Sequence, residues 1–365
     1  MVNDVNAAEG ISVQAEVPAG KVSVAGIRKK VTSNFNKAAL SVIVQQAVIV
    51  VMAVILSAAA LVFYMIQGKG GGALSTDMGM MLTITGLSGI VADIVAAVFI
   101  AKTVKLKELK KAFRAPEGGI VNLILPAFAI AGMSQIISSL LTMIPFLKSS
   151  ADSLNSININ FDNPVYAAIG ILYIALLGPV LEEILCRGMI LRVGSSISNK
   201  FGVILSALLF SFMHMNFLQG TNTFIMGLIL GYVTVKSGSI IPAVIAHIFN
   251  NCMAVAVYAV EPVFGEAAAE AFGKYLPFVL GALGVISLII LFVRNKKLDE
   301  AKDRSLESNI RVSDEMIADT GISREVIAKH ALSRSWAFYV LLGLFLISGT
   351  VMMLLPALSS FLQNR

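Results

Sequence analysis

Long apolar runs alternate with short charged blocks along nearly the whole chain. The runs lie near 38–67, 80–101, 119–147, 165–193, 202–218, 224–235, 240–260, 275–293 and 336–360, and each predicts a helix. Crossing about 30 Å of hydrocarbon takes roughly 20 residues at about 1.5 Å rise each. Most of the runs reach that length. The sixth is short, and is expected to be tilted, to continue into a neighbour or to cross only in part. The pattern predicts an all-α fold, a multi-pass transmembrane helical bundle of about nine helices. It divides the chain into a cytoplasmic N-terminal tail (1–37), the membrane bundle (38–293), a charged cytoplasmic helical excursion (294–335) and a final transmembrane helix (336–365). No internal repeat is evident.

Composition strengthens this reading, and charge orients it. Hydrophobic residues make up 57% of the chain and charged ones 14%, against about 25% charged in soluble domains. Lys102, Lys105, Lys107, Lys110, Lys111 and Arg114 cluster in one loop with only Glu108 against them, and Arg294, Lys296 and Lys297 follow the eighth run. The alternate loops carry Asp77, Asp152, Asp162, Glu261, Glu266 and Glu270, with Lys69, Lys148 and Lys274 as their bases. An N-terminus inside the cell, next to Arg28, Lys29, Lys30 and Lys37, and a C-terminus outside satisfy all of these. The net charge of +6 therefore points to a cell-membrane protein whose partner is the lipid bilayer, with no nucleic acid. The polar start predicts no removable signal peptide. Cys186 and Cys252 both sit in apolar runs, which argues against a disulfide framework. The 294–335 excursion has nine basic and eight acidic side chains, as a solvated helical hairpin would. Ser313, followed by Asp314 and Glu315, is expected to cap one of its helices, and His330 is expected to be solvated there.

Ionisable groups within the spans cost about 2.5–3.5 kcal/mol each on insertion scales, so their positions carry information. The fourth run holds Glu182, Glu183 and Arg187, the fifth His214, and the seventh His247 and Asn251. Counted from the cytoplasmic ends of their helices, Glu183, His214 and His247 lie at roughly 15, 18 and 10 Å. Three antiparallel helices thus bring polar groups to one depth band, as a site assembled between them requires. Glu183 and Arg187 stand four apart and can pair on one face. Glu182 is turned about 100° away, which leaves it free to act as a general base at neutral pH. Gly178 and Pro179 are expected to weaken or kink the helix beside it. Phe210 shares a face with His214 and is expected to shape the site. Asn251 shares one with His247. Asp93 on the second run falls in the same band, where it lines the cavity or pairs with Arg187 or Lys102.

Glu182-Glu183-x-x-x-Arg187, Phe210-x-x-x-His214 and His247-x-x-x-Asn251, in that order, resemble the motifs of the CAAX protease and bacteriocin-processing (CPBP, or Abi) family of intramembrane proteases. The resemblance covers about 165–255. It implies an intramembrane endopeptidase, a CAAX endopeptidase-like hydrolase acting on membrane-bound peptides or protein C-termini. By the same resemblance Glu182 activates water with help from His214, His247 and Asn251 stabilise the oxyanion, and Glu183 and Arg187 complete the first motif.

Other readings remain beside this one. Glu182, His214 and His247 form a conceivable zinc set; no cofactor is favoured, because the chain lacks the HExxH helix of zinc proteases. Gly86-Leu87-Ser88-Gly89 fits the GxSG of rhomboid proteases, but without their later motif, and Ser88 is read as helix packing. Cys186 is expected to be inert. An ion-coupled transporter would also place charges at mid-membrane, though the missing repeat weighs against it. A non-catalytic bacteriocin-immunity or scaffold protein with a membrane-protein partner is the third reading.

Overall fold

The computed structural model describes residues 23–70, 72, 74, 77–106, 109–144, 164–299, 317–318 and 320–363, and every regular element among them is helical. We number the main helices α1 (Val24–Ile66), α2 (Met78–Val104), α3 (Gly119–Thr142), α4 (164–195), α5 (Asn199–Met213), α6 (Phe217–Ser237), α7 (Ile241–Phe264), α8 (Glu266–Asp299), α9 (Arg324–Ser333) and α10 (Trp336–Gln363). Seven of these, α1–α4, α6, α8 and α10, contain segments long and apolar enough to cross a membrane; α5 and the apolar part of α7 (Ile241–Val257) are shorter. The protein is a multi-pass helical bundle. Its outward faces are apolar, with Val50 and Val54 on α1, Phe278 and Ile289 on α8, and Ile347 and Leu354 on α10 all more than half exposed. Lipid is the solvent that such faces fit.

Two large apolar cores and a small third one (Leu82, Ala175 and Val255) fill the bundle. The first joins α1, α2, α4, α5, α9 and α10 through residues such as Val42, Ile100, Ile190, Leu209 and Leu341. The second joins α3, α6, α7 and α8 through Ile130, Leu230, Ala246 and Leu291. Helices α3 and α8 cross at Gly132 and Gly284, where a Cβ on Gly132 would lie 2.6 Å from the Gly284 Cα. Side chains at this crossing would force the backbones apart. Helix α4 contributes to the first core and faces the second, so its polar residues lie along the seam.

Several expected boundaries move. Helix α1 begins at Val24, well ahead of 38, because Ile27, Val31 and Phe35 recur at helical spacing and are buried, in one core with Ile327 and Ala331 of α9. The fifth and sixth runs divide at 214–216. Met215 takes a φ of 50°, and the Asn216 side chain accepts from the Gln219 N–H at 3.1 Å, starting a new helix. The sixth helix is therefore a full 21 residues long. Its polar opening turns had lowered the apparent hydropathy, but Thr221 and Thr223 bond their own helix carbonyls. In the 294–335 region α8 continues to Asp299, and α9 is capped by Ser323. The cap expected at Ser313 lies outside the described residues.

Long-range hydrogen bonds lace one end of the bundle. Lys37 Nζ donates to the Thr103 carbonyl (3.0 Å), Arg114 Nε to Gly238 O (2.8 Å) and Arg294 to Gly118 O (2.7 Å). Ser335 Oγ donates to Asn36 Oδ1 at 2.8 Å. The lysine-rich stretch after α2 and Arg294 thus belong to the same end.

Candidate active site

The fourth helix is not a uniform α-helix. Residues Leu172–Leu177 and Ile184–Ile190 are π-helical and flank the α-helical turn Gly178–Glu183. The cause is local. The Gly178 N–H bonds to Tyr173 O, five residues back, and so leaves Ile174 O without its usual donor. The next candidate donor is Pro179, which has no N–H. Asn251 Nδ2 from α7 donates to Ile174 O instead, at 2.9 Å. The kink expected at Gly178-Pro179 is thus a widened helix whose orphaned carbonyl holds Asn251 in place.

Tyr173, in the first π segment, fits against Gly86 and Gly89 of α2. A Cβ on Gly89 would lie 2.2 Å from the Tyr173 hydroxyl. That close approach explains the glycines of the Gly86-Leu87-Ser88-Gly89 stretch. Ser88 is fully buried and donates to Ile84 O at 2.7 Å, as a helix-packing serine does.

The two adjacent glutamates lie in different surroundings. Glu183 is fully buried, and its Oε1 accepts from Arg187 Nη1 at 2.7 Å, with both side chains 0% exposed. The same oxygen lies 3.0 Å from His247 Nδ1. Glu182 is 22% exposed, and its Oε2 lies 3.7 Å from His247 Nε2. One imidazole therefore stands between the two carboxylates, bonded to the buried one and aimed at the open one. Nδ1 donates to the Glu183 carboxylate, and Nε2 is the nitrogen turned toward Glu182.

Phe210 organises the rest. Its fully buried ring meets His214 edge-on at 5.1 Å and His247 at 5.6 Å, and the Arg187 guanidinium stacks on it at 4.6 Å. Those two contacts to one ring hold both imidazoles beside Phe210. Arg187 also donates to Gly227 O on α6, at 3.2 Å. His214 Nδ1 lies 2.9 Å from Phe210 O. Its Nδ1–H therefore donates there, leaving Nε2 as an acceptor. His214 closes α5 and does not sit in mid-helix; the Met215 turn presents it at the helix end.

The structure thus brings together Glu182, Glu183, Arg187, Phe210, His214, His247 and Asn251. It adds Gln45, Gln46 and Tyr173, which the sequence did not single out. Gln45 of α1 donates to Asp93 Oδ1 at 2.5 Å, with both side chains buried, so Asp93 is held by Gln45 and not by Arg187 or Lys102. Asp93, Tyr173 and Glu182 are close enough to interact electrostatically. Gln46 donates to Met213 O at 2.7 Å, next to His214. Cys186 is buried with its Sγ 3.5 Å from the Met213 sulfur. Among the described residues no three His, Cys, Asp or Glu side chains form a group that could hold a metal ion.

The seam of α4, α5 and α7 is also where the chain matches a known family. Residues 164–253 match the Rce1-like family of type II CAAX prenyl endopeptidases. This segment is a CPBP-family domain. The CPBP domain runs from the first turn of α4 into α7 and takes in each of the three motifs. The match supports a membrane endopeptidase in general. No curated protein and no solved structure matches the chain.

Proposed function

We propose that the protein cleaves membrane-associated peptides or protein C-termini with water activated by Glu182. The observation that carries this reading is the position of His247, with Nδ1 tied to buried Glu183 and Nε2 directed at partly exposed Glu182. Glu182 takes a proton from water as the oxygen attacks the scissile carbonyl, and the proton then passes to the leaving amine. His214, whose Nε2 is free to accept, assists that transfer. His247, held by Glu183, and the second amide N–H of Asn251 face the developing oxyanion. Glu183 and Arg187 position His247 and do not touch substrate. The reaction is placed in the cell membrane, with the site open to the cytoplasm. The step uses no zinc, and its partner is a membrane-bound substrate.

A purified, reconstituted preparation and a fluorogenic membrane-anchored peptide test this. Cleavage is expected without an ion gradient, and removal of zinc by a chelator is expected to leave the rate unchanged. Stoichiometric zinc with chelator-sensitive cleavage would overturn the metal-free step but keep the protease. Gradient-driven uptake lost in Glu182→Gln, with no peptide cut, would replace the protease with a transporter.

A further inference from the structure

A cleft of about 450 Å³ lies where α1 passes α9 and the start of α10, and it shares no lining residue with the active site. Its walls include Lys29, Ser33, Asn36, Lys37, His330 and Trp336, and no carboxylate is among the lining residues. Lys37 uses one of its three N–H donors on Thr103 O, which leaves two for a ligand. Asn36 accepts from Ser335 Oγ and the Ala337 N–H, at 2.8 and 3.2 Å, which fixes the start of α10 against α1. Lys37 is therefore anchored on a wall fixed by Asn36, and exposed Lys29 reaches over it.

The level of the cleft matters as much as its charge. Trp336 is 58% exposed and is the first residue of the apolar helix Trp336–Leu355. Tryptophan at such a position marks the boundary between headgroups and hydrocarbon. Val340, Leu344 and Ile347 follow it at four-, four- and three-residue steps, so they continue the same helix face, and all are exposed. A polar, cationic cleft at the boundary thus opens onto an apolar stripe that runs into the membrane. A free anion would use only the first of these features.

We propose that this cleft binds the phosphate headgroup of an anionic phospholipid, with an acyl chain lying along the Trp336–Ile347 face of α10. Bound lipid would tie α1, α9 and α10 together at the membrane surface.

The test is native mass spectrometry of the full-length protein released from nanodiscs containing phosphatidylglycerol or phosphatidylcholine. Retained phosphatidylglycerol, but not phosphatidylcholine, is expected. Lys29→Ala should weaken retention about five-fold, the effect of one interfacial lysine. Lys29→Arg should preserve it, and Lys110→Ala, at an exposed lysine outside the cleft, should have no effect. Lys29 is exposed, so an unchanged thermal midpoint in Lys29→Ala separates lost binding from lost folding. Equal retention in wild type and Lys29→Ala, or an equal loss in Lys110→Ala, would overturn the site in favour of diffuse surface charge. Displacement of the lipid by inorganic phosphate at matched concentration would overturn the lipid assignment in favour of a free-anion site.

Discussion

Glu182→Gln is expected to lower peptide cleavage by about 10²–10⁴-fold, the range for loss of a general base, while the protein remains folded and inserted. Glutamine keeps the shape of the side chain but cannot take a proton from water. The substitution is mild for the fold because Glu182 is partly exposed and its nearest ionic contact, His247 Nε2, is 3.7 Å away. His247 stays anchored through Glu183. Substrate affinity should change little, so the loss should fall on kcat. Cleavage rate, thermal midpoint and peptide binding measured on one reconstituted sample separate these effects. A large fall in the midpoint would show that Glu182 is structural.

Glu183→Gln should behave in the opposite way. It leaves the fully buried Arg187 guanidinium facing a neutral amide in place of a carboxylate at 2.7 Å. Breaking one side of a buried ion pair costs about 3–5 kcal/mol, because the remaining charge stays desolvated. A marked fall in thermal midpoint and in inserted yield is expected. The pair Glu183→Leu with Arg187→Met should recover most of the stability, since an apolar pair of similar volume avoids the lone charge. It should not recover activity, because His247 Nδ1 loses its acceptor. Stability restored together with full cleavage would show that Glu183 does not position His247.

These contrasts show which parts of the site could be read from the sequence. Glu182, Glu183, Arg187, His214, His247 and Asn251 stood out because ionisable and amide groups are rare in apolar runs, and helical spacing alone pairs Glu183 with Arg187. Their neighbours were harder to see. Nothing in hydropathy indicates that Gly178 would bond five residues back, so the Ile174 carbonyl that Asn251 caps was hidden. Likewise the bond from His247 to Glu183 joins residues 64 positions apart, and no periodicity encodes it. Gln45 and Gln46 were single polar residues in a long apolar helix, and their targets on α2 and α5 emerge only when the bundle packs. The same blindness affected the bundle's outline. The opening turns of α6 read as too polar for a span because hydropathy does not register that their hydroxyls bond back to the helix. The amphipathic start of α1 read as a tail because its cations outnumber the few apolar residues that dock on α9.

The most direct test of Glu182-activated water is mass spectrometry of a membrane-anchored peptide cleaved by the reconstituted protein in ¹⁸O-labelled water with a zinc chelator present. The account predicts a cut peptide with the label on its new C-terminal carboxylate, no label on the Glu182 side chain, and at least about 10²-fold less cut product from Glu182→Gln. Label on the Glu182 carboxylate after turnover, or equal cleavage by Glu182→Gln, would contradict it.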